Sequence, residues 1–166
     1  MTTLAFIIQS ESPGDAEVIE RLHERAFGPG RFVRSSERVR EMAEYDRHLS
    51  FVARVATLVV GSVRQTPIRI GDTPALLLGP LTVEPAFMGR GIGKALLERS
   101  IAEARNAGRH HIVLVGDETY YGRVGFKGVP AGRIKMPGPV DPGRVLLWND
   151  DPETAKTVTG LVRPPV

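Results

Sequence analysis

At 166 residues the chain is long enough to bury one sizeable core and too short for two ordinary domains, so residues 1–166 are expected to fold as a single domain. Hydrophobic residues at 42% and charged residues at 25% exclude a disordered or fibrous chain. A net charge of +3, from 22 basic and 19 acidic side chains scattered along the chain, excludes the dense basic stripe of a nucleic-acid binder, and the lack of cysteine excludes disulfides, thiolate metal sites and a cysteine nucleophile.

Leu4 to Gln9 reads as a first strand. Its apolar part, Leu4 to Ile8, is too short for a signal segment or a membrane span, so a cytoplasmic protein with no membrane partner is expected. Ser12-Pro13-Gly14-Asp15 is a turn that ends in a good N-cap. Val18, Ile19, Leu22, Ala26 and Phe27 then recur at helical spacing from Ala16, until Gly28-Pro29-Gly30 stops the pattern. A second, more polar helix is predicted from Ser35 or Ser36 to about Tyr45.

Leu49 to Val55 and Thr57 to Ile70 are rich in Val, Ile, Phe and Thr and read as an antiparallel pair, closed by the turn Gly71 to Pro74. Ala75 to Val83 is nearly all apolar and reads as a central strand, yet it carries Gly79-Pro80. Proline cannot donate to a ladder, so the strand should be bulged or unpaired on one side near that point. Gly91 to Ala107 has the clearest helical pattern of the chain, with Gly108 as its C-terminal cap, and Ile112 to Val115 is a short buried strand. Strand, helix and strand across Ala75 to Val115 make a βαβ unit, so the whole is an α/β fold with a mixed sheet. From Gly122 onward proline and glycine are frequent. Val145 to Trp148 reads as a strand there, and Thr157 to Val166 gives only a weak strand signal.

Met88-Gly89-Arg90-Gly91-Ile92-Gly93-Lys94 lies between a strand and that best helix. Unpaired N–H groups and the positive end of the dipole favour an anion at a helix start, and glycines let a phosphate approach the backbone. A Walker A loop needs Gly at Met88 and Ser or Thr at Ala95, and a dinucleotide fingerprint needs a small residue at Lys94. Both are missing. The remaining mode is a pyrophosphate held by backbone amides without metal, which suits coenzyme A.

Val83-Glu84-Pro85 followed by Gly89-Arg90-Gly91-Ile92-Gly93-Lys94-Ala95-Leu96 resembles the acetyl-CoA motif of the GNAT superfamily of N-acetyltransferases. Val115-Gly116-Asp117, Tyr120-Tyr121-Gly122-Arg123 and Gly125-Phe126 resemble its YhbS-like branch. Met88 departs from the Arg or Gln usual at its position. The resemblance implies a GNAT-like fold whose bulged central strand splays from its parallel neighbour, with acetyl-CoA between them. Leu81, Thr82 and Val83 would face the pantetheine amides, and Gly89, Arg90, Gly91, Ile92, Gly93 and Lys94 the phosphates. It also implies Tyr121, four residues before Gly125-Phe126, as the acid for the departing thiolate, with Tyr120 projecting elsewhere. Glu84, Asp117 and Glu118 are the candidates for general base, Glu84 preferred. Gly28 to Arg34 would wall the acceptor site, where Arg31 and Arg34 could attract an acidic group.

The expected activity is acetyl transfer to a primary amine of a small molecule, protein or peptide, with no metal and no nucleic acid; a homodimer is compatible with the sequence. A non-catalytic acyl-CoA sensor is the alternative, against which Tyr121 argues. His110-His111 lacks metal-ligand spacing and reads as the start of a strand.

Overall fold

The computed structural model describes residues 5–27 and 35–166. Four strands form an antiparallel meander: β1 (Ile7–Ser10), β2 (Phe51–Val55), β3 (Leu58–Ile70) and β4 (Thr73–Val83). β4 runs parallel to β5 (His111–Val115), and between them the chain passes through α3, which follows α1 (Ala16–Phe27) and α2 (Ser35–Met42) and spans Ile92–Asn106. This is the predicted mixed sheet with its βαβ crossover.

α3 lies on one face of the sheet. Ile92, Leu96, Leu97, Ile101 and Ala104 bury there against Phe51, Ala53, Val63, Leu76 and Ile112. Gly61 permits the close approach, since a Cβ on it would stand 3.1 Å from Leu96 and 3.2 Å from Ile92. Truncating a fully buried leucine such as Leu96 to alanine costs about 2–5 kcal/mol. The helix stops at Gly108, whose φ of 74° lets its N–H reach the Arg105 carbonyl and the Arg109 N–H reach that of Ala104. α1 covers the opposite face, packing Ile19 and Leu22 on Val52 and Val59.

Several boundaries differ from the sequence expectation: β2 begins at Phe51 rather than Leu49, and β4 at Thr73, inside the expected turn. The first strand is shifted to Ile7–Ser10, with Leu4 outside the described residues. α2 ends at Met42 rather than Tyr45, although no breaker intervenes. The Tyr45 hydroxyl instead donates to Glu11, and the Asp46 N–H to the Gln65 carbonyl, so tertiary bonds override local propensity.

The C-terminal third holds more structure than its composition suggests: α4 (Glu118–Tyr121), β6 (Lys127–Gly128), β7 (Ile134–Lys135), β8 (Val145–Asn149), α5 (Pro152–Ala155) and β9 (Gly160–Arg163). β8 pairs with β5 and β6, whereas β9 pairs with β7 and the end of β3. Val158 and Val162 are buried with Ile68, Ile70, Ile134 and Met136, so the tail belongs to the core. Gly71 and Gly160 pass so closely that a Cβ on Gly160 would lie 2.8 Å from the Gly71 Cα.

The irregularity expected at Gly79-Pro80 is present. Val63 pairs with Leu81 and Gln65 with Leu78, so Gly79 and Pro80 together face the single residue Arg64. This is a bulge of one extra residue, and a bulge bends its strand. Gly79 takes φ 126°, and the Gly79-Pro80 peptide is cis.

Candidate active site

Parallel pairing of β4 with β5 is confined to Leu76 with Ile112 and Leu77 with Val113. Beyond the bulge the strands part. A cavity of about 340 Å³ opens between Leu78–Leu81 on one strand and Leu114–Asp117 at the end of the other, with Tyr120 and Tyr121 across its mouth. The facing edges have no ladder partner among the described residues, so apart from the Gly79 carbonyl, which accepts from Arg40, and the Gly116 N–H, which donates to the Arg144 carbonyl, backbone groups there are open to a ligand lying between them.

This gap runs into a groove of about 530 Å³ over the start of α3, the two sharing Leu81, Tyr120 and Tyr121. Gly89 and Gly91 line it in left-handed backbone, at φ 75° and 84°, and a Cβ on either would enter open space. Gly91 is the N-cap of α3, whose first-turn N–H groups lack partners within the helix. Leu81, Val83, Met88, Ile92, Gly93 and Lys94 also line the groove. Thr82, of alternate parity in β4, is buried off it, and the exposed Arg90 side chain does not line it.

α4 delivers the two tyrosines, with the Tyr120 and Tyr121 N–H groups both bonding the Asp117 carbonyl. Their rings meet edge to face at 4.9 Å, and that of Tyr121 also meets Phe126 at 6.1 Å. Each occupies space left by a glycine. A Cβ on Gly116 would collide with the Tyr121 ring, and one on Gly93 with the Tyr120 hydroxyl. The expectation that Tyr120 projects elsewhere is therefore corrected: both rings wall the groove. Arg123 stacks 4.5 Å above the Tyr120 ring, donates to the Tyr120 carbonyl at 3.1 Å, and adds a positive charge that sequence reasoning did not single out.

The three carboxylates differ in surroundings. Glu84 accepts two bonds from Arg25 of α1, at 2.9 and 2.6 Å, and lines neither the gap nor the groove. Asp117 lines the gap, 3.8 Å from Arg144. Glu118 accepts from the Gly128 N–H at 3.2 Å.

A third cavity, of about 750 Å³, meets the gap at Arg40, Gly79 and Pro80 and is walled mainly by charged side chains from α1, α2, the segment that follows α2, and β3. At its floor Arg64 bonds the fully buried Glu11 carboxylate at 3.0 and 3.3 Å, the Tyr45 hydroxyl donates to the same carboxylate at 2.6 Å, and Glu20 lies 3.6 Å from Arg64. Burial, and then the bond to Glu11, hold the Tyr45 phenol above its ordinary pKa, so it stays a donor. Gly28 to Arg34, including Arg31 and Arg34, lie outside the described residues. His110 pairs with Asp150 at 2.8 Å, at the end of β5 remote from the gap. Among the described residues no group of three or more His, Asp or Glu is arranged to hold a metal ion, and no helix is long and apolar enough to cross a membrane.

A split β4–β5 pair leading to a glycine-rich helix start is the arrangement that the sequence resemblance implies. The family described as Acetyltransferase (GNAT) domain matches residues 46–128, and the chain belongs to it. Among its relatives, the uncharacterized N-acetyltransferase YjhQ of Escherichia coli (strain K12) is 30% identical over 98% of this chain and 94% of its own. The GNAT family N-acetyltransferase YhbS from Escherichia coli, solved in complex with CoA, superposes with a TM-score of 0.76 at 23% identity, over 98% of this chain and 91% of that one. A GNAT family acetyltransferase from Brucella melitensis, solved in complex with acetyl-CoA, gives 0.67 at 29% identity over 90% of both.

Proposed function

We propose that the chain transfers acetyl from acetyl-CoA to a primary amine within a ternary complex, the whole chain acting as one catalytic domain. The observation that carries this is the unpaired gap between β4 and β5 opening onto the N-terminus of α3. The residues present fit the cofactor: open space over Gly89 and Gly91 for a pyrophosphate, and free strand edges beside Leu81 and Val83 for the pantetheine amides. The relatives solved with CoA and acetyl-CoA support the same reading.

Bound acetyl-CoA supplies an acetyl thioester whose carbonyl carbon the neutral amine attacks and whose sulfur departs. A backbone N–H of the bulged segment faces the oxygen on which charge develops; Pro80 has none to offer, which leaves its neighbours. Tyr121, at the mouth of the gap, gives its phenolic proton to the departing sulfur. The proton lost by the attacking nitrogen passes to a carboxylate or to solvent. Glu84 can receive it only by loosening its two bonds to Arg25, whereas Asp117 already lines the gap. Lys94 and Arg123 add positive charge beside the phosphates.

In the experiment that tests this, millimolar acetyl-CoA raises the melting temperature with or without EDTA, because a ligand of the folded state stabilises it by mass action. CoA release is then followed against a panel of amines. Tyr121→Phe lowers kcat by about 10²-fold on a turned-over acceptor while the acetyl-CoA shift stays at the wild-type value. No melting shift, or an equal shift with ATP and Mg²⁺, overturns the assignment. A shift without CoA release on any amine favours the non-catalytic sensor.

A further inference from the structure

The two tyrosines of α4 reach opposite ends of the space between the gap and the start of α3. The Tyr121 ring lies against Gly116, just past the end of β5, whereas the Tyr120 hydroxyl lies against Gly93 in the first turn of α3. Tyr120 is fixed from several sides. Its N–H bonds the Asp117 carbonyl, its ring meets that of Tyr121 edge to face, Arg123 stacks on its face, and the Arg123 Nε donates to its carbonyl. Yet the Tyr120 hydroxyl makes no hydrogen bond among the described residues. A ring held in place with an uncommitted O–H is a preorganised donor, because little further ordering is needed when a ligand arrives.

The position of that donor says what it meets. It stands beside the first-turn N–H groups of α3, where a helix start favours an anion. The other side chains of the groove leave the role open. Met88, on the glycine turn, carries a thioether that donates nothing, and Lys94 lies 3.6 Å from Glu98, which answers its charge. A phenol that donates to an anionic oxygen makes a charge-assisted bond, roughly twice as strong as a neutral one. Arg123 adds a positive charge on the same ring, and its Nη groups have no hydrogen-bond partner among the described residues.

We propose that Tyr120 is a cofactor-binding residue whose hydroxyl donates to the pyrophosphate of acetyl-CoA across from the α3 amides, with Arg123 fixing the ring. The adjacent tyrosines thereby divide the work, Tyr120 holding the phosphates and Tyr121 serving the departing sulfur. The proposal rests on the acetyltransferase reading above and deepens it.

The test is titration calorimetry on the full chain with two ligands: CoA, and 3′-phosphoadenosine 5′-diphosphate, which keeps the pyrophosphate and lacks the pantetheine arm. Tyr120→Phe retains the ring and its stacking and removes only the hydroxyl. Its Kd is expected to rise by about 10-fold for CoA and by the same factor for the nucleotide, the scale of one hydrogen bond to a charged group. The melting temperature of the free protein stays at the wild-type value, since the hydroxyl has no bond there to lose. An equal Kd for CoA in wild type and variant overturns the proposal and leaves the cofactor reading standing. A rise for CoA with none for the nucleotide overturns it by moving the hydroxyl to the pantetheine arm, and failure of the millimolar nucleotide to bind the wild type overturns it by removing the phosphate seat. An affinity loss accompanied by a lower melting temperature of the free variant overturns it by making the hydroxyl structural. If CoA does not bind the wild type, the cofactor reading falls and the proposal with it.

Discussion

The groove over α3 and the cavity beyond Arg40 are built from different material. The groove has backbone at its anion end, with two glycines in left-handed conformation at a helix start beside a strand edge, and the side chains of Phe87, Met88 and the two tyrosines around it. The cavity is walled by charged side chains brought together from α1, α2, the segment after α2, and β3. A backbone anion seat such as this one is confined to a few consecutive residues, because the chain's own turn makes it. A side-chain-walled site is assembled by the fold from distant positions, and each charge in it must be answered by another. The first construction suits a ligand common to a whole family, and the second suits one particular to the protein.

Three substitutions would break or sharpen that contrast. The largest effect is expected at Gly91→Asp, which puts a side chain and a negative charge into the open space over the helix start. Acetyl-CoA affinity falls by about 10²-fold or more, read by titration calorimetry, while the circular dichroism spectrum stays native. Unchanged affinity would place the phosphates elsewhere.

Glu11→Gln attacks the other region. It leaves Arg64, with only 11% of its side chain exposed, without its principal partner, and breaking one side of a buried pair costs about 3–5 kcal/mol. The Glu20 contact makes about 3 kcal/mol the expected loss in urea unfolding. The acetyl-CoA melting shift should survive. If acetyl-CoA binding disappears while the protein remains folded, the two regions are not energetically separate.

The smallest effect lies outside both. Burial, with the neighbouring His110 second, holds the His111 imidazole below its ordinary pKa of 6.5. The folded state thus prefers the neutral ring, and as pH falls below 6.5 the unfolded chain binds the extra proton first. Stability from this group is full at neutral pH and is lost as pH drops from 6.5 toward the lowered folded value. The melting temperature should decline more gently over that window in His111→Gln than in the wild type, and an equal slope would remove His111 as the cause.

Legibility in the sequence follows the same contrast. The turn from Met88 to Lys94, the helix after it and the anomaly at Gly79-Pro80 each declare themselves locally, through residues whose backbone preferences leave few options. The network of Glu11, Tyr45 and Arg64 does not, since nothing at residue 11 signals an ion pair 53 positions away. The placement of Tyr120 was equally hidden. It depends on the absence of a side chain at Gly93, in a different helix. The tail is faint in the sequence because Val158 and Val162 stand apart, with Thr159, Gly160 and an exposed Leu161 between them, and their burial comes from β3 and β7.

The parting of β4 from β5 has a consequence for solubility. A sheet split internally carries two more open edges than a continuous one, and open edges invite pairing with another chain. Here the hazard is contained by geometry. The bulge breaks the regular spacing a foreign strand would need, and Pro80 removes a donor from the row. The tyrosines of α4 close the mouth, and Arg40 sets a charge at the far end. The residues that shape the opening for a thin ligand thus also keep it from serving as a template for aggregation.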